Sequence, residues 1–380
     1  MKIILAPNAF KDCMSSSEAA LAMETGIKTA FPKAKTIKIP VADGGDGLID
    51  SLCEPLSGKK KTLKVTGPRF DKIEAEYCIF PEQKTAIIEM AKASGLALLK
   101  ESRRDATLTT SLGTGELVKN ALEYDINHLL IGIGGSATND AGIGILTALG
   151  FRFLDKNNNE LRPIGKNLPL ISNINTDNVT AKLSEVKMEI VCDVDNPLYG
   201  PKGAAYIYAP QKGANRTQVE ELDNGLKHFS KMVLEKTGID ISTIPGGGAA
   251  GGIGAGLYGL LKGTLRPGID IVLELVNFAE KIKNADLILT AEGQIDHQTA
   301  FGKAPAGVAK LAKQENIPCI AIAGGIGKDI SSLHDIGINA VFSLCPGPVS
   351  LYNAIKNGKA YLSNTSEQIA RAFFCNRSTS

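Results

Sequence analysis

Tryptophan is absent from this chain of 380 residues, and aromatic side chains make up only 5% of it. Stacking platforms for bases or sugars are therefore not expected to dominate. A strong charge of either sign is missing too. The formal net charge is +2, which leaves no electrostatic footprint for nucleic acid. Four histidines are spread along the chain, too scattered for a histidine metal cluster. The seven cysteines (Cys13, Cys53, Cys78, Cys192, Cys319, Cys345 and Cys375) are odd in number and lack any C-x-x-C spacing. They read as reduced thiols of a cytoplasmic protein, not as a zinc site or a disulfide frame. No apolar run approaches the length of a membrane span. The run in "MKIILAPNAF" is too short for the core of a secretory signal, and a proline follows it.

Glycine, by contrast, is plentiful: 40 residues, many in clusters that end apolar runs. Such placement suggests backbone brought close to ligands, although turns alone would use many of them. The opening reads β–α–β–α, with "KIILAP" and "TIKIPV" as strands and "SSSEAALAMETGIKTAF" as a serine-capped helix. The last hundred residues behave alike, with strands in "ADLILTAEG", "IPCIAIAGG" and "INAVFSLCP" and helices in "APAGVAKLAKQEN" and "SEQIARAFF". Between them "KTLKVTG", "KIEAEYCIF" and "KTAIIEM" alternate, which predicts antiparallel strands with one solvated face. The expected fold class is α/β in two domains. Residues 1–65 and 280–380 form a discontinuous Rossmann/flavodoxin-like doubly wound parallel sheet. Residues 66–279 form an inserted α/β domain with a mixed sheet, and the active site is expected in the cleft between the two.

Several polar loops follow predicted strands, where open parallel sheets bind ligands. "ADGGDG" carries Asp43 and Asp46, suited to Mg2+ or a hydroxyl proton, or else to capping the next helix. In "GIGGSATNDAG", Gly132, Gly134 and Ala137 fit a dinucleotide fingerprint, with Asp155 at the distance of a ribose partner. The polar insert Ser136, Thr138, Asn139 and Asp140 argues against NAD; a nucleotide of any kind could place a phosphate at this helix start, and the alternative is a capped helix packed close to a sheet. "GGGAAGGIGAG" is a weaker glycine loop around Gly247 and Gly248, readable as a phosphate loop or a hinge. "CDVDN" ends a strand with Asp193 and Asp195, whose alternative is an Asx turn. "TAEGQIDHQTAFGKAP" supplies Glu292, Asp296 and Lys303 but is no Walker A motif. Lys11 follows the first strand, just ahead of Ser15 to Ser17. His297 is assigned no role.

Together "APNAFKDCMSSSEAA", "VADGGDG", "EMAKASGLAL", "TTSLGTGEL", "GIGGSATNDAGIGILTALG", "CDVDNPLYGPKGAA", "PGGGAAGGIGAG" and "TAEGQIDHQTAFGKAP" resemble the glycerate kinase family that includes the bacterial glycerate 2-kinases. They run in family order over nearly the whole chain. One departure is Asn8, where members often carry aspartate. The resemblance implies ATP-dependent, magnesium-assisted phosphorylation of D-glycerate to 2-phosphoglycerate, with small-molecule partners and neither nucleic acid nor membrane. A homo-oligomer is left open.

Individual roles rest on chemistry. Gly134, Gly135, Ser136, Thr138, Asn139, Gly247 and Gly248 are expected at the ATP phosphates. Asp193, Asp195, Lys11 and Asp43 are the catalytic candidates, with Asp193 and Asp43 also on the metal. Asp46, Glu292, Asp296 and Lys303 are placed at the substrate. The rivals are phosphorylation at the 3-hydroxyl, an NAD-dependent oxidoreductase using the Gly132–Gly134–Ala137 turn, and a metabolite-binding module without turnover.

Overall fold

The structure, a computed structural model, describes residues 1–43, 47–53, 56–300 and 302–376, apart from the side chain of Gln298. In chain order the strands are β1 (Lys2–Pro7), β2 (Lys35–Lys38), β3 (Lys59–Thr66), β4 (Lys72–Phe80), β5 (Thr85–Glu89) and β6 (His128–Gly132). They continue with β7 (Arg152–Leu154), β8 (Asn173–Asn175), β9 (Lys187–Val191), β10 (Thr264–Arg266), β11 (Leu287–Ile295), β12 (Cys319–Ile326) and β13 (Ile338–Ser343). The chain divides into two units, Met1–Asp43 with Pro267–Ser380, and Gly44–Arg266.

The first unit is built on a five-stranded sheet ordered β13-β12-β11-β1-β2, every neighbouring pair parallel. Counted within the unit, this is the flavodoxin-like order 2-1-3-4-5, with its switch point between β1 and β11. β1 and β11 are continuous apolar runs because they lie inside the sheet; Ile3, Leu5, Leu287 and Leu289 are fully buried. The helix Ser16–Ala30 opens with a capping box between Ser15 and Glu18. It packs tightly on the helix Leu351–Phe373, where a Cβ on Gly26 would stand 1.9 Å from the Ser363 carbonyl oxygen.

The second unit carries a six-stranded mixed sheet, ordered β10-β9-β6-β5-β4-β3, and a small β7–β8 pair. β3, β4 and β5 pair antiparallel as expected, while β5, β6, β9 and β10 run parallel. β3 alternates in exposure, but β5 is buried at all five positions. The helices Leu48–Leu52 and Leu112–Ala121 both pack against it, and no solvated face is left, contrary to the alternation read from "KTAIIEM".

Both boundaries fall earlier in the chain than the sequence places them. A break at 65/66 would cut β3 from its ladder with β4, which runs from Lys59↔Ile79 to Thr66↔Lys72. A break at 279/280 would remove the helix Gly268–Leu275 from the unit it packs in, where Ile269 and Leu273 press on Gly307 of the helix Ala304–Gln314. Among the described residues, no helix is long and apolar enough to cross a membrane.

Candidate active site

In the first unit, the polar side chains gather at the carboxyl ends of β1 and β11, the switch point of the sheet. Asn8 follows β1, and its N–H donates to Ala291 O of β11 at 2.8 Å. Its side chain donates to Asp43 Oδ2 at 3.0 Å. Asp43 Oδ1 accepts from the backbone N–H of Ala304, the first residue of a helix whose N-cap is Lys303. Asp43 thus serves as a capping carboxylate supplied from elsewhere in the chain.

Glu292, near the end of β11, is 8% exposed. Its Oε1 lies 3.8 Å from Lys303 Nζ, and its Oε2 is buried without a hydrogen-bond partner. Burial, together with the charge of Asp43, pushes the Glu292 carboxyl up to about 8, with Lys303 opposing. Burial also raises Asp43, against the Ala304 N–H, Lys303 and Asn8. One buried and one half-buried acid beside a single lysine carry more negative charge than the lysine offsets, so they can take up a cation or a proton. Asp296 adds its charge at Glu292 and closes a turn with Thr299. Asp46 lies outside the described residues.

In the second unit, a cavity of about 340 Å3 opens beyond the carboxyl ends of β6 and β9. Gly134, Gly135 and Ser136 line it from the loop after β6, Asp193 and Cys192 from the loop after β9. Lys212 closes it from a turn that follows the helix Ala204–Tyr208. This lysine is 3% exposed and donates at 2.8 Å to both Ser136 Oγ and Thr138 O. Asp140, fully buried, anchors the loop by accepting from Ser111 N, Ser111 Oγ and Gly142 N.

A family model described as "Glycerate kinase family" matches residues 3–374, nearly the whole chain. The chain belongs to the glycerate kinase family. It is 44% identical to "Glycerate kinase" of Halalkalibacterium halodurans, over 99% of each chain. It is 41% identical to "Glycerate 2-kinase" of Escherichia coli, over 97% of each. A crystal structure provisionally named glycerate kinase 2, from Salmonella typhimurium LT2, superposes with a TM-score of 0.91 at 39% identity, covering 99% of both chains.

Within this glycerate kinase family chain, the structure groups some expected residues and separates others. Asp43, Glu292 and Lys303 come together; Gly134, Gly135, Ser136 and Asp193 share the second unit's cavity. Asp195 is exposed and does not line that cavity, so the pair expected there reduces to Asp193. Lys11 is exposed and lines another cavity of about 290 Å3 with Gln294 and Gly325, apart from Asp43 and Glu292. Thr138 and Asn139 are fully buried and do not line that cavity.

Gly247 and Gly248 do not line it either; their N–H groups donate to Ile244 O and Asn196 O, and Ala249 and Ala250 form the wall instead. The dinucleotide spacing also has a different use here. The helix after it starts only at Ile143 and has six residues, and Asp155 is half-buried, spent on the N–H groups of Asn157 and Asn159. Lys212 went unnoticed in the sequence, because "YIYAPQKGAN" offers only a lone lysine beside a glycine. Its burial is a tertiary fact.

Proposed function

We propose that this chain transfers the γ-phosphoryl group of ATP to the 2-hydroxyl of D-glycerate, in the cytoplasm. Family membership and the likeness to a protein named glycerate 2-kinase support the reaction. The carrying observation is the group of Asp43, Glu292 and Lys303 at the sheet's switch point. It offers an oxygen pair and a cation beside the first turn of a helix, which suits an anionic hydroxy acid.

Mg2+ is tested by the donor set. Among the described residues, no group of three or more His, Cys, Asp or Glu side chains is arranged to hold a metal ion. Magnesium needs less than that, since it is commonly held by one or two carboxylates plus phosphates and water. The buried, unpartnered Glu292 Oε2 beside Asp43 fits that demand. When bound, Mg2+ would neutralise phosphate charge. Asp43 or Glu292 would then be the ionised group that accepts the hydroxyl proton, and Lys303 would hold the glycerate carboxylate as a point charge. The nucleotide phosphates are assigned to the backbone of Gly134 and Gly135 and to Ser136 in the second unit.

The test is turnover of Mg-ATP and D-glycerate, with the product read by phosphorus NMR. The expected product is 2-phosphoglycerate; the 3-phosphate would overturn the assigned hydroxyl, and failure to consume ATP would overturn the reaction. Lys303→Met is expected to lower kcat/KM for glycerate by about tenfold or more. An unchanged value would remove Lys303 from the substrate site.

A further inference from the structure

The ammonium group of Lys212 has three N–H donors, and two of them are met by neutral oxygens, Ser136 Oγ and Thr138 O. Among the described residues, no carboxylate lies within ion-pair distance of it. Asp140 is the charged group that acts on Lys212, yet its oxygens are already engaged by Ser111 and Gly142. A lysine 3% exposed therefore faces a cavity with its charge largely uncompensated. Gly134 and Gly135 put no side chain between the loop after β6 and the cavity, so a ligand can approach the backbone there.

We propose that a phosphate group completes this site, with Lys212 as its recognition residue and a proton taken up from solvent as the phosphate binds. The inference rests on the phosphoryl-transfer reading and names the residue that reads charge in it. A phosphate is favoured over a single carboxylate because two glycine amides, a hydroxyl and a compact ammonium surround the opening. Burial draws Lys212 down to about 7, with Asp140 opposing. The other titratable linings are Asp193, Cys192 and Tyr208; burial pushes the thiol up to about 11 and raises the phenol as well. Neither the thiol nor the phenol supplies a proton near neutrality.

Two sources share this chemistry, the nucleotide and the phosphorylated product, so calorimetry should titrate ADP and 2-phosphoglycerate separately, with D-glycerate as the carboxylate control. In the wild-type protein, phosphate-ligand affinity should fall as pH rises above about 7, by up to about tenfold per unit. Binding at pH 8 in two buffers of different ionisation enthalpy should report proton uptake. Lys212→Met should weaken ADP or 2-phosphoglycerate by about tenfold or more, abolish the uptake and leave glycerate unchanged. Whichever ligand weakens identifies the source.

Equal affinities and an equal pH profile in Lys212→Met would overturn the proposal, as would a loss confined to glycerate. If that variant does not fold, the wild-type proton uptake and a Ser136→Ala variant decide the matter, and absent uptake overturns it. Wild-type protein that binds pyrophosphate in a Lys212-dependent way, but neither ADP nor 2-phosphoglycerate, would keep the site and sink the functional reading.

Discussion

A carboxyl buried beside a second carboxyl makes the stability of the fold depend on pH. Glu292 rises from an ordinary 4.5 to about 8, so the folded chain keeps a proton that the unfolded chain releases. This contribution is fully present below about 4.5 and is lost as pH rises towards about 8. Without Mg2+, the urea midpoint of the wild type should fall across that window, and Glu292→Gln should flatten the profile and end higher at pH 8. Parallel profiles would show that Glu292 ionises normally. Glu292, Asp43 and Lys303 were legible in the sequence because each stands in a polar stretch at or after a strand's end, where few packing duties explain such residues. Lys212 follows a short helix, and nothing local distinguishes it from a surface lysine. Only the burial brought about by Ser136 and Thr138 does so.

Glycine-rich segments were harder to read at the scale of whole elements. The run from Gly246 to Gly256 reads as a phosphate loop, yet its glycines bring two stretches of backbone together. Ala250, Gly251 and Gly252 break the helix Ala249–Leu261 with positive φ. A Cβ on Gly251 would lie 2.2 Å from Thr138 O, the same carbonyl that accepts from Lys212. Ala141 N–H also donates to Gly251 O. Gly251→Ala, at φ +75, should therefore cost about 2 kcal/mol or more in denaturant unfolding and weaken ADP binding in the folded fraction. Wild-type stability in that variant would deny the close approach. Sequence spacing records that small residues are required; it does not record whether a ligand or another loop fills the space. The buried strand β5 escaped for a related reason, since its exposure is set by the helices packed against the sheet and not by its own alternation.

At the scale of the whole molecule, alternating strands and helices at both chain ends made the discontinuous parallel sheet legible, whereas the boundaries depended on pairings that lie far apart in sequence. Each unit has its own buried cluster, one around Ile3, Leu5 and Leu289, the other around Ile88, Ile131 and Phe229. A fragment spanning residues 44–266 should accordingly fold alone, with a single cooperative transition by circular dichroism. A fragment that stays unfolded would show that this cluster depends on the remainder of the chain.

The placing of β1 between β2 and β11 also matters on the ribosome. Lys2 N–H finds Asp286 Oδ2 only 284 residues later, and Ile3 pairs with Leu287. At elongation speeds of about 5–20 residues per second, the first strand waits on the order of 15–60 s for its partner. The nascent amino terminus therefore spends most of synthesis as an apolar segment with one neighbouring strand, while residues 44–266 emerge complete and fold ahead of it. A holdase that shields "KIILAP" would act within that interval, before the carboxyl-terminal strands arrive.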